Sequence, residues 1–100
     1  MISSTLEIGP YDEAFTLIVE PWADEFVIHP GQQCAVVAHH PSVTPGFGAS
    51  LANGALIVWV NDSGATFSFL RDGVVEYETD NQIPPIPWHG WQVFWRLTGE

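Results

Sequence analysis

The stretch TLIVEPWADEFVIHPGQQCAVVA, residues 16–38, constrains the fold more than any other part of this chain. Three short apolar runs are cut there by turn residues at near-regular intervals, the punctuation of an antiparallel β-sheet. Residues 16–19 and 26–28 are rich in β-branched and aromatic side chains, which suit a pleated, half-buried surface. Pro30-Gly31 falls between the second run and the third, where a tight turn is needed.

The same reading carried along the chain predicts strands over residues 5–8, 14–20, 25–29, 33–38, 55–61, 65–70, 74–79 and 91–97. No helical periodicity intervenes. Eight short strands predict one all-β domain over residues 1–100, an antiparallel β-sandwich of seven or eight strands, with a small cupin-like barrel as the alternative. Gly9-Pro10, Asn61-Asp62-Ser63-Gly64 and Asp72-Gly73 mark further turns, and residues 55–79 read as a three-stranded meander. Within it, alternation puts Glu76, Glu78 and Asp80 on one face and Val75 with Tyr77 on the other. Like charges crowded on that face are expected to raise the carboxyl pKa values. Leu56, Ile57, Val58, Trp59 and Val60 are apolar throughout, the pattern of a central strand buried on both faces. Residues 39–54, HHPSVTPGFGASLANG, are longer than an ordinary connection and rich in Pro, Gly and Ser, so a mobile loop or lid is expected. Residues 80–91 carry Pro84, Pro85 and Pro87 and should be extended and stiff.

Charge excludes whole classes of partner. Arg71 and Arg96 oppose twelve Asp and Glu, for a formal charge of −10, and lysine is absent. That balance argues against nucleic acid, anionic membranes and phosphate-rich ligands, and removes Schiff-base chemistry and lysine phosphate clamps. Its simplest effect is solubility. The single cysteine, Cys34, permits no disulfide framework and suits a reducing cytosol, so a cytoplasmic location is expected. Residues 1–10 lack the basic start and apolar run of a signal peptide, and no apolar stretch approaches the roughly 20 residues of a membrane helix.

The phrase EPWADEFVIHPG, residues 20–31, resembles a segment of short, uncharacterised bacterial β-sandwich proteins. The resemblance covers 12 of the 100 residues. It implies an all-β fold and a bacterial or phage source, and brings no activity and no site residues with it. A comparison with the blue-copper cupredoxins fails at the ligands, because Cys34 is followed by His39 and His40 but by no nearby Met, and lies in mid-strand.

Four histidines are the first chemical candidates. His29, His39, His40 and His89 sit at predicted strand ends or in loops, and with Glu20 or Glu25 they could form a mononuclear site on the rim of a barrel. The cupin His-x-His motif is absent, however, and His39 and His40, being adjacent, would face opposite ways in an extended strand. No metal or other cofactor is therefore expected. Trp88, Trp91 and Trp95 are the second candidates. Trp88, His89 and Trp91 form a corner suited to stacking on a sugar or filling a partner's pocket. No nucleophile elbow frames any serine, Cys34 reads as a small buried hydrophobe, and the carboxylate pairs Asp24-Glu25 and Glu76-Glu78 are neighbours in sequence only. The reading that follows is a non-enzymatic binding or structural module whose partner is a protein, met through an exposed strand edge or the 88–91 corner. Self-association through a strand edge is compatible with it. A metal-binding cupin-like barrel and a carbohydrate-binding sandwich using Trp88 and Trp91 are the alternatives.

Overall fold

The structure, a computed structural model, describes residues 1–83. The predicted strand over 91–97, the corner of Trp88, His89 and Trp91, and the prolines at 84, 85 and 87 lie outside the described residues. Among those described, eight strands form two four-stranded sheets and no helix. The strands are β1 (Ile2–Ile8), β2 (Phe15–Glu20), β3 (Asp24–Ile28), β4 (Cys34–His40), β5 (Phe47–Ala52), β6 (Ala55–Val60), β7 (Thr66–Arg71) and β8 (Val74–Glu78). The first sheet runs β1-β4-β7-β8 and the second β3-β2-β6-β5. Neither sheet closes on itself, so the fold is a sandwich and not the cupin-like barrel.

Side-chain alternation decides what lies between the sheets. In β4, Cys34, Val36, Ala38 and His40 point inward and are buried, while Ala35, Val37 and His39 are half-buried on the outer face. Leu17 and Val19 of β2, Val58 and Val60 of β6, and Phe67 and Phe69 of β7 complete the same core. Aromatic rings join the sheets. Phe26 on β3 lies against Phe69, Phe67 and Tyr77, and Trp22 in the β2–β3 turn packs on Phe67 with centroids 4.6 Å apart. These contacts set β3 across from β7 and β8, which leaves β5, at the opposite edge of its sheet, over the β1 side.

Three local expectations are corrected. Residues 55–79 are not one meander, because β6 belongs to the second sheet and β7 and β8 to the first, and β6 pairs with β2 in parallel. Trp59 is not in a doubly buried strand: it points to the outer face of the second sheet and is 41% exposed. A β-strand whose outer face keeps Ile57 half-buried and Trp59 partly wet needs no second cover, and the continuous apolar run overstated its burial. Finally, residues 39–54 are not a structureless lid. β4 continues through His40, and β5 occupies Phe47–Ala52, leaving a short connection between them.

The register of β7 and β8 also changes the predicted acidic face. Phe69 is opposite Tyr77 and Leu70 is opposite Val75, so Glu76 is an extra residue in a bulge. Val75 and Tyr77 thereby fall on opposite faces. Glu76 turns to Arg71, whose Nε lies 2.8 Å from its Oε1, and the guanidinium holds the Glu76 carboxyl below its ordinary pKa rather than above it.

Candidate functional site

The predicted metal ligands do not converge. His39 and His40 project to opposite faces of β4, as strand geometry requires. The ring of His39 lies between two hydroxyls, Ser3 Oγ at 2.8 Å from Nδ1 and Ser68 Oγ at 2.9 Å from Nε2, in a row across β1, β4 and β7. His40 is buried at the end of β4. Its Nδ1 accepts from the backbone N–H groups of Ser42 and Val43, both at 3.1 Å, so Nε2 carries the proton and donates to Ser63 O at 2.9 Å. Both rings are thus used by the fold. His29 stands apart in the turn after β3, where its backbone N–H donates to Gln32 Oε1, and His89 lies outside the described residues. Glu20 and Glu25 are on the outer face of the second sheet, next to Trp59 and Ile18 in register. Among the described residues no group of three or more His, Cys, Asp or Glu is placed to hold a metal ion.

Cys34 is 1% exposed between the sheets, and burial pushes its thiol pKa up, against a smaller opposing pull from Arg71. A protonated thiol is a poor nucleophile.

Among the described residues, the fold presents one sheet edge without the usual protection. Four strands among the described residues are edges, and three of them carry carboxylates: Glu7 on β1, Asp24 and Glu25 on β3, and Glu76 and Glu78 on β8, which is also bulged. β5, FGASLA, has no charge, no proline and no bulge, the features by which proteins usually blunt an edge. Its geometry follows from two local causes. Asn53-Gly54, with φ of 50° and 78°, makes a two-residue reversal into β6 whose twist suits a hairpin. At the other end, Asp62 Oδ2 accepts the N–H of Gly46 at 2.7 Å, and Gly46 O accepts the N–H of Asn61 at 3.0 Å. Since Gly46 bonds to β6, alternation makes Gly48, Ser50 and Ala52 bond to β6 as well, and turns the N–H and C=O groups of Phe47, Ala49 and Leu51 outward.

Beneath the far end of β5 is an open cleft of ≈ 660 Å³, lined by Tyr11, Phe15, Leu51 and Leu56 with Asp12 and Glu13 at its lip. It exists because the cover of the second sheet runs out. Phe26, Leu17, Leu56 and Leu51 form one inward-facing row across β3, β2, β6 and β5. Leu17 is fully buried, Leu56 half-buried and Leu51 81% exposed. The cleft walls are tied to the frame: Gly31 N–H donates to Tyr11 O at 2.9 Å, Thr16 N–H donates to Gly54 O at 3.3 Å, and Tyr11 meets Phe15 edge-on with centroids 5.5 Å apart.

These residues are absent from the sites expected of the sequence, although Asn53-Gly54 is a strong hairpin signal that would have placed a strand on its N-terminal side. No protein-family model matches the chain, and no curated protein and no solved structure matches it either.

Proposed function

We propose that this chain is a non-enzymatic, cytoplasmic protein-binding module that takes an extended segment of a partner protein along β5, as a fifth strand of the second sheet. One observation carries the reading: of the four edges among the described residues, β5 alone is uncharged, straight and flanked by small side chains, Gly48, Ala49, Ser50 and Ala52, that let another backbone approach. Backbone groups of Phe47, Ala49 and Leu51 supply the pairing, which gives affinity, while side-chain pockets beside the strand give selectivity. A net charge of −10 keeps copies of the chain apart and favours a partner of opposite sign.

The test is selection of displayed random decapeptides on the wild-type chain, with counter-selection on Ala49→Pro. Proline there deletes an outward N–H and no bond to β6, and edge strands tolerate it. Enriched peptides should bind the wild type and lose Ala49→Pro while its melting temperature stays close to that of the wild type. Enriched peptides that bind both forms equally would sink the reading.

A further inference from the structure

The cleft under β5 is, we propose, the anchor pocket for that partner segment, and the segment it selects is basic, with one apolar side chain set between cationic ones on the same face. This rests on strand addition at β5. The cleft's ≈ 660 Å³ is ample for one or two side chains, and its lining includes the half-buried Phe15 and Leu56 and the exposed Leu51. Leu51, like Phe47 and Ala49, faces inward with its own backbone groups pointing outward, and of the three it lines the cleft, so a strand paired there delivers side chains directly over it.

The lip fixes the sign of the ligand. Asp12 and Glu13 are exposed, and among the described residues neither forms an ion pair: the single side-chain salt bridge there joins Arg71 to Glu76. Arg71 is further held by Val27 O at 2.8 Å and Gln32 Oε1 at 2.7 Å. Among the described residues no basic side chain lines the cleft. An anionic segment would meet two uncompensated carboxylates beside an apolar wall, whereas lysine or arginine two residues either side of a leucine satisfies both. The walls are positioned before the ligand arrives, through the Gly31–Tyr11 and Thr16–Gly54 hydrogen bonds, so little ordering is required on binding.

The probe is the peptide Ac-VRTLTRV-amide, in which leucine and both arginines share one face of an extended strand. Its controls are Ac-VETLTEV-amide and Ac-VRTSTRV-amide. Binding is measured by calorimetry at low and at 0.5 M salt against the wild type, Ala49→Pro, Leu51→Ser and the double variant Asp12→Asn, Glu13→Gln. The basic leucine peptide should bind, the serine peptide about tenfold or more weaker, and the acidic peptide weakest. The double variant should lose about two- to fivefold per carboxylate, a loss that high salt erases. Ala49→Pro should abolish binding. Sensitivity to Ala49→Pro with indifference to the peptide's charge and to Leu51 overturns the cleft inference and leaves strand addition standing. The reverse pattern removes strand addition and keeps the cleft. Absence of binding at low salt overturns both, as does a concentration-dependent dimer of the wild type that Ala49→Pro dissolves, since the occupant of the edge is then a second copy.

Discussion

Phe26 lies nearly flat on Phe69, with ring centroids 4.1 Å apart and planes 13° from parallel. Phe26 belongs to β3 and Phe69 to β7, so this stack joins the two sheets directly, and Tyr77 closes against Phe26 at 5.7 Å from the neighbouring β8. The pairing fixes which edges of the two sheets coincide. Because β3 is held over β7 and β8, the mismatch between the sheets is collected at β5, where the candidate site lies.

Phe69 is fully buried, and truncation there removes both the stack and core volume. Phe69→Ala should cost about 3–5 kcal/mol, enough to unfold many domains of this size. Trp59, larger but 41% exposed, should behave in the opposite sense to its size: Trp59→Ala is expected to cost about 1 kcal/mol or less. Denaturant melts of the two variants decide the point. A Trp59→Ala loss equal to that of Phe69→Ala would mean that the outer face of the second sheet is covered.

Most of the all-β architecture was legible, because alternation and turn residues are local signals. Asp72-Gly73 illustrates this, since its φ values of 51° and 80° are those of the tight hairpin the dipeptide implies. Three things were not legible. The parallel pairing of β2 with β6 depends on contacts between segments some 40 residues apart, which no local pattern encodes. β5 is composed of Gly, Ala and Ser around Phe47 and Leu51, residues with weak strand preference, and is a strand because the Asn53-Gly54 turn and the Asp62–Gly46 bond force it alongside β6. Trp59 looked buried because composition reports hydrophobicity and not which face has a cover. The cleft was invisible for a related reason: it is a consequence of how far one sheet overhangs the other.

His40 should be structural. Its ring satisfies two backbone N–H groups and one carbonyl, tying the start of the β4–β5 connection to the turn before β7. His40→Ala leaves those groups in a buried setting without partners, at a cost of about 1–3 kcal/mol. Amide exchange of Ser42 and Val43 should accelerate in the variant while that of Val36 changes only with global stability. Unchanged protection at Ser42 and Val43 would show that these N–H groups have other partners.

Cys34 should resist modification. A thiol that is 1% exposed and whose pKa is raised by burial presents little thiolate to a disulfide reagent. At pH 8 the native chain should react far more slowly than the chain in guanidinium, with the rate tracking unfolding. Reaction at the rate of a free thiol would place Cys34 on the surface. The lone cysteine would then regain its standing as a chemical candidate.

Glu76 gives the pH dependence a definite sign. Its carboxyl is held below the ordinary value chiefly by the hydrogen bonds from Arg71, Nε to Oε1 at 2.8 Å and Nη2 to Oε2 at 3.0 Å. The folded chain therefore binds that proton less tightly than the unfolded chain does. The stabilisation is complete above the unfolded value, about 4.3 for glutamate, and is lost as pH falls through the lower folded value. Glu76→Gln should melt below the wild type at pH 7, and the two curves should converge on acidification through that window. Salt should narrow the gap at pH 7, because the pair is at the surface and its attraction is screened over about 10 Å at 0.1 M. Arg71 keeps its bonds to Val27 O and Gln32 in the variant, so the loss isolates the carboxylate. A gap between the two melting curves that survives unchanged into strong acid would assign the effect to packing of the residue 76 side chain and not to its charge.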